Sequence, residues 1–97
     1  MSMIKKHISM LGLEVVDRVT GFAGVVSSVS FDLYGCVQAL VNPGVGSDGK
    51  LRDSSWFDVN RLHAKRSDPV MDPPDFEAGP QAEGRQGAAE KPALGKS

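Results

Sequence analysis

The sequence is short of everything that usually cross-links or anchors a small protein. It has one cysteine, Cys36, and two histidines, His7 and His63, in 97 residues. A lone thiol cannot close an internal disulfide, and two distant histidines with one cysteine do not form a zinc signature. Neither a metal nor a cofactor is therefore expected, and a single cysteine fits a reducing compartment. Long apolar runs are missing too. The opening Met1-Ser2-Met3-Ile4-Lys5-Lys6-His7 carries two lysines, but Ser9, Gly12 and Glu14 interrupt the next stretch before a signal-peptide apolar region can form. Nothing reaches the roughly twenty apolar residues of a membrane span. The expectation is a soluble, unexported protein with no membrane partner.

An excess of either charge is lacking as well, with 11 Lys and Arg against 12 Asp and Glu. Between Ser9 and Ala64 the cations are Arg18, Lys50, Arg52 and Arg61, and the anions are Glu14, Asp17, Asp32, Asp48, Asp53 and Asp58. Phosphate-backbone binding needs clustered Lys and Arg. A nucleic-acid-binding barrel is thus a disfavoured alternative.

What is present is valine at strand spacing. From Leu13 to Val41, apolar letters recur nearer to every second residue than to every 3.6. The first strand is read as Leu13 to Val19, with Leu13, Val15 and Val19 on one face and Glu14, Val16 and Arg18 on the other. Thr20-Gly21-Phe22 breaks it. A second strand runs from about Ala23 to Phe31, where Gly24 marks a bulge or a close backbone approach. Asp32-Leu33-Tyr34-Gly35 is the next turn, and Cys36 to Val41 the third strand. A glycine-rich connection, Asn42 to Lys50, holds the Asp48-Gly49 turn signal. Ser54 to Asp58 is the fourth strand, Asp58 to Arg61 a single 3₁₀ turn, and Leu62 to Ala64 a short fifth strand.

Five short strands in this order predict an all-β fold, a small SH3-like barrel over residues 11–64. An OB-fold would need a helix between its third and fourth strands, and the stretch from Asn42 to Asp53 is too glycine-rich to supply one. A barrel of about 55 residues is near the lower limit for unaided folding. Residues 1–10 are read as a flexible N-terminal segment. Residues 65–97 are rich in Pro and Gly and poor in large apolar side chains, so they read as an extended tail, disordered or ordered by a partner, with Val70, Met71 and Phe76 as its anchors.

The run Val16-Asp17-Arg18-Val19-Thr20-Gly21-Phe22-Ala23-Gly24, the turn Leu33-Tyr34-Gly35-Cys36 and the close Trp56-Phe57-Asp58 together resemble a group of short phage and prophage proteins. The resemblance covers about Leu11 to Leu62 and none of the tail. It implies a viral or prophage source, placing the protein in a host cytoplasm or a virion, and carries over no catalytic residues.

Each chemical constellation has a plainer account. Thr20 to Gly24 looks like a phosphate loop, but its glycines lie between strands instead of opening a helix, so a turn is expected. Cys36 has only His63 as a candidate base and nothing to orient it, so a small core residue is expected. Asp17 and Asp58 sit at strand ends, where carboxylates cap turns. No enzymatic activity is expected.

The aromatic residues carry the functional expectation. Alternation sends Trp56 and Phe57 to opposite faces, so one fills the core and the other needs a cover. With Tyr34 and Phe22 they are candidate contacts of a module that binds a viral or host protein, or a second copy of itself, in virion assembly or structure. The alternative is a small-molecule binder that sequesters a nucleotide signal to counter host defence. There Arg18, Arg52 or Arg61 would clamp phosphate beside an aromatic ring.

Overall fold

The computed structural model describes residues 3–77. It is all-β apart from a short helix and one 3₁₀ turn. The elements in chain order are α1 (Met3–Ile8), β1 (Glu14–Asp17), β2 (Ala23–Phe31), β3 (Val37–Asn42), β4 (Ser55–Asp58), the 3₁₀ turn (Val59–Arg61) and β5 (Leu62–Ala64). The strands form one antiparallel sheet in the order β4-β3-β2-β1-β5. Its edge strands β4 and β5 are not hydrogen-bonded to each other, so the sheet is open and does not close into a barrel.

β2 organises the sheet. Its first half pairs with β1, Val16 opposite Ala23 and Glu14 opposite Val25, and it pairs with β3 from Val25–Asn42 to Phe31–Val37. A register shift between Val26 and Ser28 bends it, as an extra residue in one strand does. The bulge is thus at Ser27 and not at Gly24. Gly24 serves the other expected purpose, a close approach: a Cβ there would overlap the carbonyl of Asn42, whose carbon would lie 2.6 Å away.

The core consists of Val15, Val26, Ala39, Val41, Phe57 and Leu62, with Met10, Leu11, Leu13, Phe22, Val29 and Val59 packed around it. A valine, leucine or phenylalanine side chain contributes about 1.5–3 kcal/mol when fully buried. β1 departs from its expected pattern. It ends at Asp17, two residues early, because the Asp17 carbonyl and carboxylate together close the following turn: Gly21 N–H donates to the carbonyl (2.8 Å) and Thr20 N–H to the carboxylate (3.0 Å). Val19 is consequently turned out to solvent, and Asp17 takes the inner-face position.

Both flanks of the sheet hold surprises. The segment expected to be flexible contains α1, whose last-turn Lys5, Lys6 and His7 suit the negative end of a helix dipole. From Lys65 onward the chain runs back along β1: Lys65 N–H donates to Glu14 O and Val70 N–H to Gly12 O, both at 2.8 Å. Lys5 and Glu77 are 3.7 Å apart at the end of this path. The first part of the tail therefore lies on its own domain instead of projecting toward a partner. Tail residues 78–97 lie outside the described residues.

Candidate functional site

The buried Asp17 is the most heavily bonded side chain of the described residues. The Arg61 guanidinium grips it with two bonds, Nε to Oδ1 at 2.8 Å and Nη2 to Oδ2 at 2.7 Å. Thr20 adds its amide and its hydroxyl, the latter donating at 2.5 Å. Arg61 holds the Asp17 carboxyl well below the usual carboxylate range; burial opposes this, and the Thr20 hydroxyl, the Thr20 amide and the Val19 amide reinforce it. The same pairing raises the Arg61 guanidinium. Arg61 also lies over the Phe57 ring, 5.3 Å from its centroid, and Phe57 meets Phe22 at 5.2 Å. The outcome is a structural clamp in which Nε and Nη2 of Arg61 are engaged by the Asp17 carboxylate.

That arrangement redistributes the expected binding residues. Phe57 is buried and Phe22 half-buried against it, so neither is a surface contact. Arg61 is committed to Asp17. Arg52 lies across Gly46 in a small hairpin that the long loop makes for itself, with Val45 bridged to Leu51 and Arg52 N–H donating to Gly44 O. Arg18 lines a different region, a cleft beside α1. The three arginines therefore do not converge on one concavity with an aromatic ring, which the nucleotide-binding alternative requires.

Two aromatic residues do face outward. Trp56 stands on edge strand β4 directly opposite Leu40, and Leu40 stands opposite Ser28, so one row crosses three strands on the outer face. Trp56 remains 47% exposed there. Tyr34 and its neighbour Leu33 are almost fully exposed at the β2–β3 hairpin tip. The tip is closed by its own hydrogen bonds: Asp32 Oδ1 accepts the amides of Tyr34 and Cys36, both at 2.9 Å, and Gly35 takes a φ of 91°. Comparison with protein-family models, curated proteins and solved structures finds no match.

Cys36 is exposed on this hairpin, which corrects the expectation of a core thiol: the third strand begins one residue later, at Val37, and leaves Cys36 in the turn. His63 belongs to edge strand β5. Asp58 caps the 3₁₀ turn as expected, accepting Asn60 N–H at 2.9 Å. Among the described residues, no group of three His, Cys, Asp or Glu is arranged to hold a metal ion, and no helix is long and apolar enough to cross a membrane.

The tail residues Val70, Met71 and Phe76 line a groove of about 370 Å³ together with Leu11, Val25 and Val26. They are anchors on the chain's own sheet, although all three keep more than half their surface exposed. A second cleft, of about 440 Å³, brings Lys6 and His7 of α1 to Arg18 and Asn60. Lys6 and His7 were missed from the sequence. Nothing local in the letters says that the N-terminal segment folds over the end of β1.

Proposed function

We propose that the chain is a non-enzymatic protein-interaction module of SH3-like arrangement and of phage or prophage origin, acting in virion assembly or structure, with Trp56 at the centre of its contact face. The SH3-like reading is supported by the strand order β5-β1-β2-β3-β4, the 3₁₀ turn before the last strand and the bent β2 shared between the two halves of the sheet. The edges remain apart, which makes it an open version of that arrangement.

The observation that carries the interaction reading is the Trp56–Leu40 pair on an edge strand. Tryptophan is the residue most enriched in interface hot spots, and here its ring is flanked by polar Ser28, Gln38 and Asp58 on the same face, an apolar centre with a polar rim. The outer edge of β4 adds main-chain groups on which a partner strand can pair. The clamp, the exposed thiol and the isolated carboxylates offer no nucleophile with an oriented base.

Affinity capture from phage-infected bacterial cells, with wild-type and Trp56→Ser chains as bait, tests the proposal. The expected result is a virion protein retained by the wild type and lost with the variant. Retention of nothing that depends on Trp56, together with a monomer at all concentrations in sedimentation, overturns it.

A further inference from the structure

We propose that the cleft between α1 and the 3₁₀ end of the sheet binds the C-terminal carboxylate of a peptide whose last side chain is aliphatic. The inference rests on the interaction-module reading in taking a protein segment as ligand, but Trp56 has no part in the cleft.

Charge is the first observation. Lys6 and Arg18 both line the cleft, and neither forms an ion pair among the described residues, whereas Lys5, Lys65 and Arg61 all do. No carboxylate lines it, in a chain with 12 Asp and Glu. A concavity with cations and no anions, in a protein of net charge −1, favours an anionic group.

The floor is the second. Met10, Leu13 and Val59, all partly buried, form an apolar base, with the core residues Val15 and Leu62 behind them. A bare inorganic anion would leave that base wet, while an aliphatic side chain next to a carboxylate covers it. The polar groups select among apolar carboxylates. Asn60 brings an amide that can both donate and accept, matching the peptide group that precedes a C-terminal residue. A fatty acid has no such group, so the exposed Asn60 side chain would stay with water and add nothing to its binding.

The backbone that carries Arg18 is anchored, its amide donating to Arg61 O at 2.8 Å immediately beside the Asp17–Arg61 clamp, while its exposed guanidinium can reach a ligand in the cleft.

The test is a titration of the isotope-labelled full chain, followed by NMR, with N-acetylated Gly-Ser-Val-Leu ending in a free carboxylate, with the same peptide as its C-terminal amide, and with octanoate. The free acid is expected to move the Arg18 and Asn60 signals with a dissociation constant on the order of 0.1–1 mM, and the amide to bind about tenfold more weakly. Lys6→Gln and Arg18→Gln are each expected to weaken the acid about tenfold, and Lys50→Gln, outside the cleft, to leave it unchanged. If Arg18→Gln proves unfolded, Lys6→Gln on the exposed face of α1 carries the test alone.

Equal binding of acid and amide, or no shift at about 5 mM peptide, overturns the proposal. Octanoate binding as tightly as the peptide overturns the peptide assignment. Because these measurements use the isolated chain, their failure is separable from a failure of Trp56-dependent capture.

Discussion

Arg61 reaches back 44 positions to Asp17 and binds both oxygens of its fully buried carboxylate. The pair fastens the turn before β5 to the end of β1, so that edge strand β5 and its neighbour share one anchor. Arg61 is itself partly exposed, while the carboxylate is wholly enclosed. Removing either partner therefore has unequal consequences.

Arg61→Met strands a buried carboxylate and is expected to lower the urea midpoint more than Asp17→Asn, which leaves a neutral side chain still able to accept from Thr20. The double variant Asp17→Asn/Arg61→Met should be less destabilised than the sum of the singles, because the two changes remove one interaction. Strict additivity in urea melts would show that the pair is not coupled.

The pH dependence comes from the lowered Asp17 carboxyl. In the unfolded chain an aspartate titrates near about 4; in the folded chain it stays ionised to lower pH, so on acidification the unfolded state takes up the proton first. The pair's contribution is complete above the unfolded value and is lost as pH falls below it. The stability difference between wild type and Asp17→Asn should hold from neutrality to about pH 5 and shrink below about pH 4. A difference that stays constant down to about pH 2.5 would contradict this assignment.

Adjacent residues 56 and 57 should behave as opposites. Phe57→Ala removes a buried ring that packs on Phe22 and lies under Arg61, and is expected to cost about 3–5 kcal/mol. Trp56→Ser, at a half-exposed outer-face position, is expected to cost less than about 1 kcal/mol. Chemical denaturation of the two variants checks both, and a Trp56→Ser loss comparable with that of Phe57→Ala would mean that Trp56 is a structural residue.

Gly12 joins the sheet to the returning tail. It has a φ of 88°, and a Cβ there would overlap the Met71 carbonyl and come within 3.2 Å of the Pro69 side chain. Gly12→Ala should release the 68–77 segment, visible as faster proteolysis next to Met71 and faster exchange of the Val70 amide, with the β2–β3 amides still protected. Unchanged Val70 exchange would show that the tail's course does not depend on this contact.

The elements themselves were readable from the letters. β2 and β5 match their expected bounds and the other strands fall within a few residues of theirs, because alternation and glycine-bearing turns are local signals. The capping role of Asp58 and the opposite facing of Trp56 and Phe57 belong to the same class. β1 is the instructive exception. Val19 has the letter of a core residue and Asp17 the letter of a surface one, yet their positions are exchanged.

Sequence alone determined the strand order along the chain, the turns and the aromatic alternation, since each depends on residues within a few positions of one another. Tertiary structure decided which polar side chain could be buried, because Asp17 is tolerable inside only with Arg61 brought to it from 44 positions away. It likewise decided that Lys6 meets Arg18 across a cleft and that Val70 lies against Gly12. Those contacts join segments whose letters carry no mutual signal, and only the packing of the folded chain brings them within reach.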